Sequence, residues 1–391
     1  MPMYSRRSIL RSLAGIAVSK LAIASRQSSA RLSAVPDGSN GPKLIVILCG
    51  GIRQAETFHD PTFVNIPHLH NDLMPAGLFV PVMRNAGVTS HFNTIASVLT
   101  GNWQRLDDWG KDPPASPTAF EYLRKSQCVP ENGAWFISSN KALTSQIGAS
   151  SYRDYGPRFG ANVVFPKQLL IDAVVNAATH GRAAHSASRE KMQPELEAML
   201  EAANYEGLGW SVAGNAYSLD PDVRDSVSTA IANLVKTSAA ATGDEFTYLV
   251  AVEVMRRFTP SLLVVTFSDM EAAHFGSYSL HLAGIRTLDR LVYELWNEAG
   301  ANPAYREKST LFVLPEFGRD FDGSSTNGFF NHRQDGESTR LSWMLCLGKN
   351  APHGSILERP LFHIDICPTI LRKFGLNSPQ TQGQPIPELL V

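Results

Sequence analysis

Carboxylate and imidazole side chains lie close together in residues 268–276, in the second half of the chain. Asp269 and His274 are five residues apart, and a carboxylate and an imidazole at this spacing can converge on one divalent cation. The same pair could instead cap a helix and bond to the backbone. The spacing alone leaves both interpretations open.

Residues 315–319 bring Glu316 close to Arg319. A guanidinium can bind phosphate or sulfate through two parallel hydrogen bonds, and a glutamate can ligate a metal or hold that arginine. A purely structural ion pair between the two side chains is the alternative. His332 follows a Gly/Ser-rich stretch, residues 322–328, and could supply a further metal ligand or remain a solvated loop histidine.

Ser90 and His91 directly precede a short apolar segment, residues 94–100, that predicts a helix. The free amides at the start of such a helix favour an anion. Ser90 could therefore be a nucleophile next to a bound anionic group. An ordinary serine N-cap explains the same residue equally well.

Four apolar runs predict the strands that position these segments. They are residues 43–49, 261–267, 309–314 and 342–347. Continuous apolar runs are typical of strands buried on both faces of a parallel sheet. Helical patterns occur between them, at residues 94–100, 118–125, 244–258 and 280–298.

This alternation predicts an α/β fold, with a mostly parallel sheet and helices on both faces. In such sheets, ligands bind beyond the carboxyl ends of the strands. We therefore expect residues 268–276 and 315–319 to meet at one edge of the sheet, because each segment directly follows a predicted strand.

The composition excludes several classes of protein. The 391 residues contain 35 Lys and Arg against 36 Asp and Glu, so no positive excess exists to bind nucleic acid. The 43% hydrophobic and 18% charged content predicts a packed core rather than disorder. The four cysteines form no CxxC pair, which argues against a zinc knuckle or a thioredoxin-like site, and we expect them to be small buried hydrophobes.

The first thirty residues predict an export signal rather than part of the fold. Arg6 and Arg7 precede an apolar run, residues 13–24, and then small and polar residues, which is the pattern of a signal peptide. The paired arginines resemble the bacterial twin-arginine signal, and the run is too short to be a stable membrane anchor. We expect the twin-arginine translocase to deliver the protein to the periplasm or outside the cell; a frayed surface helix is the alternative.

Two other segments stand apart from the alternating pattern. Residues 31–42 are rich in turn formers and predict a linker. Residues 166–243, approximately, are Ala-rich and helical in pattern, and we interpret them as an inserted helical cap.

The order of the motifs resembles the alkaline phosphatase superfamily, which includes sulfatases and phosphodiesterases. Residues 98–101 resemble the end of the helix that carries the nucleophile in that superfamily. Asp269, His274 and His332 follow its order of later metal ligands. Residues 365–371 are similar to the sulfatase-type Asp-x-x-Pro-Thr-x-Leu segment.

The resemblance covers about residues 43–376, apart from the insertion. It implies an alkaline-phosphatase-like three-layer sandwich with an inserted helical cap. Residues 316–319, together with the export signal, look most like a twin-arginine-exported, sulfatase-like bacterial family.

Three positions depart from the superfamily pattern. Cys49 ends the first strand, where the superfamily has a metal-binding Asp. His91 takes the nucleophile position, with Ser90 just before it, and Glu316 and Phe317 replace an Asp-His pair. The departures imply that the nucleophile side of the site is depleted, which puts ordinary two-metal phosphoryl transfer in doubt.

The resemblance also implies a ligand set and a cofactor. The implied metal ligands are Asp269, His274, Glu316 and His332. The cofactor is a divalent metal, namely zinc, manganese, iron or calcium, present as one or two ions.

Two hypotheses follow. In the first, the chain is an exported metal-dependent hydrolase of small anionic phosphate or sulfate esters. Arg319 then neutralises substrate charge, Ser90 or a metal-activated water attacks, and His91 is a nucleophile, base or ligand. In the second, the chain is a non-catalytic periplasmic protein that kept the fold and binds an anion or a metal.

Overall fold

The computed structural model describes residues 41–106, 112–127, 129–140, 147–166, 242–320, 328–332, 336–377 and 380–390. The predicted signal peptide (1–30) and almost all of the predicted linker and insertion (31–42 and 166–243) lie outside the described residues. These three assignments remain predictions.

One nine-stranded sheet forms the centre of the described chain. Its strands are β1 (Lys43–Cys49), β2 (Gly77–Arg84), β3 (Ala134–Ser138), β4 (Asn162–Val164), β5 (Leu262–Phe267), β6 (Ser309–Pro315), β7 (Leu341–Gly348), β8 (Ser355–Ile356) and β9 (Leu361–Phe362). All four strands predicted from apolar runs are confirmed. Every residue of β1 is buried, as expected for a strand covered on both faces.

The strand order is β4-β3-β5-β1-β6-β7-β2-β8, and β9 pairs with β2. The pairs that β1 makes with β5 and β6 are parallel, whereas β7 runs antiparallel to both β6 and β2. The sheet is therefore mostly parallel, as predicted. The reversed direction of β7 is a feature that its apolar run does not specify.

Helices cover both faces of the sheet and confirm the three-layer α/β sandwich. They are α1 (His91–Thr100), α2 (Ala119–Gln127), α3 (Gly243–Phe258), α4 (Tyr278–Ala301), α5 (Glu337–Arg340) and α6 (Ile366–Lys373). Ile45 and Ile47 of β1 pack in one apolar core with α3 and α4. Leu44 and Val46 face the other core, with α1, α2 and α6, because successive side chains of a strand point to opposite faces.

The carboxyl ends of β1, β2, β5 and β6 lie at one edge of the sheet, because these four strands share a direction. The chain leaves β1 through Gly50 and Gly51, leaves β2 toward His91, and leaves β5 into the 3₁₀ helix Asp269–Phe275. The segment after β6 begins with Glu316. Three of the four predicted segments, those of His91, Asp269 and Glu316, therefore begin at the same edge, where open parallel sheets bind ligands.

Cys49, Cys346 and Cys367 are buried free thiols, which confirms them as small core residues; Cys128 lies outside the described part of the chain. Over those same described residues, none of the helices combines the length and the apolar character needed to cross a membrane.

Candidate metal centre

Four side chains that can bind a metal converge at the carboxyl edge of the sheet. They are His91, Glu271, His274 and His332, and one ligand atom from each lies within 4.8 Å of the others. His91 is the first residue of α1, Glu271 and His274 share the 3₁₀ helix after β5, and His332 lies between β6 and β7. Three separate connections of the sheet thus supply one cluster.

Glu271 is the central carboxylate of this cluster. Its Oε1 accepts a hydrogen bond from the backbone N–H of Gly51 at 2.6 Å, and its Oε2 lies 3.0 Å from His274 Nε2. A Cβ atom on Gly50 would lie only 2.2 Å from Oε1, so a glycine at this position leaves the space that the carboxylate fills. Where the resemblance implied an Asp at the end of β1, the structure places a carboxylate from the connection after β5.

His91 and His332 are oriented by hydrogen bonds on the ring nitrogen that faces away from the cluster. His91 Nδ1 lies 2.6 Å from Glu316 Oε2, and His332 Nδ1 lies 3.0 Å from the carbonyl oxygen of Thr89. A carbonyl oxygen only accepts, so Nδ1 of His332 carries the proton and Nε2 keeps its lone pair. This tautomer, with the outer N–H bonded to a carboxylate or carbonyl, is the usual state of a metal-binding histidine.

The Nε2 atoms of both rings point into the cluster. His332 Nε2 lies 2.9 Å from His274 Nε2, and His91 Nε2 lies 3.5 Å from Glu271 Oε2. The ring of His332 also stacks on Phe317 with a centroid distance of 4.1 Å, which fixes its plane. Contacts outside the cluster therefore hold both Nε2 atoms toward Glu271 and His274.

Burial and neighbouring charges shift the pKa values of the cluster residues. Burial by itself lowers the pKa of His91, but the carboxylates of Glu316 and Glu271 outweigh burial and raise that pKa to about 10. Burial likewise opposes ionisation of Glu271, yet Arg319 and His91 hold its pKa well below the usual range. Burial lowers the pKa of His332 well below its usual value, which keeps that imidazole neutral and able to bind a metal.

The donor set fits a transition metal ion. Three imidazoles and one carboxylate suit zinc, and also manganese or iron with additional water ligands. Calcium prefers oxygen ligands throughout, so this set disfavours it. Within the described ranges, no second group of three such side chains converges in the same way.

Asp269, which was predicted as a ligand, is not among the four side chains that converge. Its backbone N–H donates to Asp244 Oδ2 at 2.9 Å, and its Oδ2 accepts from the backbone N–H of Asp244 at 3.4 Å. In a 3₁₀ helix, residues three apart lie on the same side. Glu271 and His274 have that spacing, whereas Asp269 and His274 do not.

Arg319 is completely buried behind Glu271. Its Nε donates to the carbonyl oxygen of Gly51 at 2.6 Å, Nη1 donates to the carbonyl oxygen of Phe329 at 3.3 Å, and Nη2 contacts Glu271. These contacts match the structural ion pair left open above, with Glu271 rather than Glu316 as the partner.

Ser90 is buried at the N-cap of α1, and its side chain makes no cap hydrogen bond. Its Oγ accepts from Asn93 Nδ2 at 2.7 Å. The structure therefore places Ser90 beside the cluster but engages its hydroxyl elsewhere.

Sequence reasoning did not single out Glu271. The signal that could have identified it is its position three residues before His274 in a segment already recognised as a candidate site. Asp269 was predicted as the ligand because it is the first carboxylate after the strand. Glu271 was missed because the sequence does not show that this segment forms a 3₁₀ helix.

Comparisons with known proteins identify the fold. No family model matches the sequence, and no curated protein sequence is significantly similar to it. The solved alkaline phosphatase PafA aligns with a TM-score of 0.55 at 10% identity, covering 92% of this chain and 100% of that chain. A candidate sulfatase from Bacteroides thetaiotaomicron aligns at 0.53 and 9% identity, covering 90% and 75%.

A third structure, the phosphonate monoester hydrolase of Agrobacterium radiobacter, aligns at a TM-score of 0.52 and 14% identity, covering 89% of this chain and 77% of that chain. At these identities the likeness establishes the fold. The chain has the mixed α/β fold of alkaline-phosphatase-like sulfatases.

Proposed function

Starting from an alkaline-phosphatase-like fold with a His/Glu cluster at the carboxyl edge of its sheet, we propose that the protein is a metal-dependent hydrolase of phosphate or sulfate esters. The observation that carries this proposal is the convergence of His91, Glu271, His274 and His332 within 4.8 Å. The cluster lies where this class of sheet binds ligands.

These four residues would hold one divalent ion, and zinc suits them best. The ion would supply Lewis acidity toward an ester oxygen and toward water. Glu316 Oε2, 2.6 Å from His91 Nδ1, would leave Nε2 as the nitrogen that faces the ion, once the ion has displaced the proton that the raised pKa of His91 keeps there in the metal-free protein. Arg319 holds Glu271 in place, so in this proposal it is a positioning residue rather than a group that touches substrate.

Two features favour an anionic substrate. The divalent charge and Arg319 together exceed the charges of Glu271 and Glu316, the two buried carboxylates that contact the cluster residues. Helix α1 also begins at the site, and its first residue is His91. The positive end of the helix dipole and the unpaired amides of the first turn attract an anion.

The hydroxyl of Ser90 is a weak candidate for the nucleophile in this arrangement. It is 6% exposed and is engaged by Asn93, whereas His91 occupies the neighbouring position that faces the cluster. We therefore propose that Ser90→Ala retains measurable hydrolysis. Complete loss of activity in a folded Ser90→Ala protein would restore Ser90 as the nucleophile.

The alternative function is metal or anion binding without turnover. It is favoured by the histidine in the nucleophile position and by the single converging group found among the described residues. Under this alternative, the purified protein contains metal but hydrolyses no ester.

Elemental analysis combined with an activity screen tests the proposal. We expect about one zinc per chain, and turnover of aryl phosphates or aryl sulfates that a chelator abolishes and added zinc restores. His332→Ala should lose both metal and activity, while His353→Ala, at an exposed histidine, should lose neither. A metal-loaded protein without turnover on either ester class would support the binding alternative.

We further propose that the protein is exported by the twin-arginine route, as the predicted signal in residues 1–30 implies. Replacing both Arg6 and Arg7 with lysine should leave uncleaved precursor in the cytoplasm of the producing cell. Normal processing and secretion of that double variant would contradict this route.

A further inference from the structure

A buried histidine on α4 contacts the backbone of the 3₁₀ helix that carries Glu271 and His274. His281 is completely buried, and its Nδ1 lies 2.7 Å from the carbonyl oxygen of Met270. A carbonyl oxygen only accepts, so Nδ1 donates this hydrogen bond. Because Met270 directly precedes Glu271, the bond fixes the backbone next to a member of the cluster.

The protonation state of His281 suits this contact. Burial, with a smaller contribution from Arg319, lowers its pKa to about 4, so the imidazole is neutral at pH 7 and its single proton lies on Nδ1. Among the described residues, its Nε2 has no hydrogen-bond partner, and leaving a buried polar atom unbonded is unfavourable. A leucine would fill the space without that cost. The hydrogen bond to Met270 is therefore what the imidazole adds at this position.

A second contact between the same two elements lies one turn further along α4. Gly284 follows His281 by three residues, so both lie on the same side of the helix. A Cβ at Gly284 would lie only 2.4 Å from the backbone nitrogen of Met270, so the two backbones approach closely there. His281 and Gly284 together hold the 3₁₀ helix against α4.

The 3₁₀ helix is a conformation that needs such support. It extends over seven residues, Asp269–Phe275, whereas 3₁₀ helices of more than about four residues are uncommon because their hydrogen bonds are poorly aligned. Residues three apart lie directly above one another in a 3₁₀ helix but are rotated by about 60° in an α-helix. Rewinding this segment would therefore turn Glu271 Oε2 away from His274 Nε2, which lies 3.0 Å from it.

We propose that His281 is a positioning residue for the metal centre, and that its hydrogen bond to Met270 holds the 3₁₀ helix so that Glu271 and His274 face the same ion. His281 is not one of the four converging side chains, so it acts through the backbone rather than as a ligand. This inference rests on the proposed function for its metal, whereas the contact with Met270 is present in the metal-free protein.

Two variants of nearly equal shape test the hydrogen bond. His281→Asn keeps an N–H group at about the position of Nδ1, whereas His281→Leu has no donor. In the metal-free proteins, we expect the amides of residues 271–276 to exchange with solvent about tenfold faster in the leucine variant, because one hydrogen bond is worth a factor of this order. The asparagine variant should restore most of the protection. Leu291→Ala removes buried volume from the same helix and controls for a general loss of stability.

Binding of cobalt(II) gives a second measurement, because its absorption spectrum reports the number and arrangement of its ligands. We expect His281→Leu to bind cobalt about 10- to 100-fold more weakly than the wild type and to change the spectrum. His281→Asn and Leu291→Ala should keep the wild-type spectrum. A purely structural role for His281 would lower the stability of the protein and leave the cobalt spectrum unchanged.

Unchanged exchange rates, or an unchanged cobalt affinity and spectrum, in a folded His281→Leu protein would overturn the proposal. An asparagine variant that behaves like the leucine variant would also overturn it, because the donor would then not matter. If His281→Leu fails to fold, His281→Gln places its amide farther along the side chain, at about the position of Nε2, and should show the same losses. If the wild type binds no cobalt, the proposed function is wrong, and the exchange rates then decide whether His281 holds the 3₁₀ helix.

Discussion

His91 Nδ1 and Glu316 Oε2 lie 2.6 Å apart, joining the first turn of α1 to the end of β6. Both side chains are largely buried: 20% of the His91 side chain and 1% of the Glu316 side chain are exposed. The contact fixes the rotation of the imidazole and directs Nε2 toward Glu271, His274 and His332. Glu316, which was predicted as a metal ligand, contacts the nitrogen of His91 that faces away from the cluster, and we propose that it orients this imidazole.

Replacing Glu316 tests this orienting role. Glu316→Leu removes the acceptor and should lower metal affinity about 10- to 100-fold, the usual effect of losing such a partner. Glu316→Gln keeps an acceptor for the Nδ1 proton and should lose much less. Competition against a chromophoric chelator measures both affinities.

The test is the difference in metal affinity between the two Glu316 variants. Circular dichroism and thermal unfolding of the metal-free proteins serve as the control for folding. If the leucine and glutamine variants bind metal as tightly as the wild type, Glu316 does not orient His91. If both lose metal completely, Glu316 is itself a ligand.

A second prediction concerns the buried ion pair of Arg319 with Glu271. Arg319→Met leaves the carboxylate of Glu271 buried without its cation, and breaking a buried pair from one side costs about 3–5 kcal/mol of unfolding free energy. Urea unfolding of the metal-free protein measures this cost. The double variant Arg319→Met, Glu271→Met should recover part of it, because no unpaired charge remains.

An exposed pair provides the control for Arg319. Arg256 pairs with Glu298 on the surface, with 59% of the Arg256 side chain exposed. Arg256→Met should therefore cost less than about 1 kcal/mol. A cost for Arg319→Met as small as that for Arg256→Met would show that the buried pair is not a stabilising contact of the site.

Four of the nine strands and four of the helices in the described residues were predictable, and the reason is local. The buried strands β1, β5 and β6 are continuous apolar runs, and α3 and α4 repeat apolar residues at helical spacing. The antiparallel direction of β7 was not predictable, because it depends on the path of residues 316–340 from β6 and on pairing with β2, which is distant in the chain.

The location of the candidate site was predictable from the sequence, but the full set of converging side chains was not. His274 and His332 follow from motif order, and the carboxyl edge follows from strand direction. Glu271, rather than Asp269, joins the cluster because residues 269–275 form a 3₁₀ helix. The residue types of this segment do not reveal that helix type. The burial of Arg319 depends on carbonyl groups of Gly51 and Phe329, which no side-chain pattern reveals.

Lys43 gives a prediction for the dependence of stability on pH. It is 2% exposed, and its Nζ donates to the carbonyl oxygen of Thr259 at 2.6 Å. Burial, with a smaller contribution from Lys308, lowers its pKa from 10.5 to about 8. Between these values the unfolded chain binds more protons than the folded chain, so the free energy of unfolding contributed by Lys43 rises with pH.

The change to test is Lys43→Met, which removes this titration. The stability of the wild type relative to Lys43→Met should rise between pH 8 and 10.5 by up to about 3 kcal/mol, since one pKa unit is worth about 1.4 kcal/mol. Denaturant unfolding at several pH values gives the difference, and other alkaline effects act on both proteins. A difference that stays flat or falls across this range would contradict the lowered pKa.

Gly50 should be essential for the carboxylate of the metal centre. A Cβ at this position would lie 2.2 Å from Glu271 Oε1, closer than side-chain atoms can approach, whereas a Cβ at Gly300 would meet nothing within 4 Å. Gly50→Ala should therefore displace Glu271 and lower metal content well below that of the wild type. Gly300→Ala, in the exposed last turn of α4, should leave metal content unchanged. Metal analysis after gel filtration measures both, with unfolding curves of the metal-free proteins as the check on folding. Full metal content in a folded Gly50→Ala protein would mean that the ion does not need the carboxylate of Glu271 at its present position, because the added methyl group and that position cannot occupy the same space.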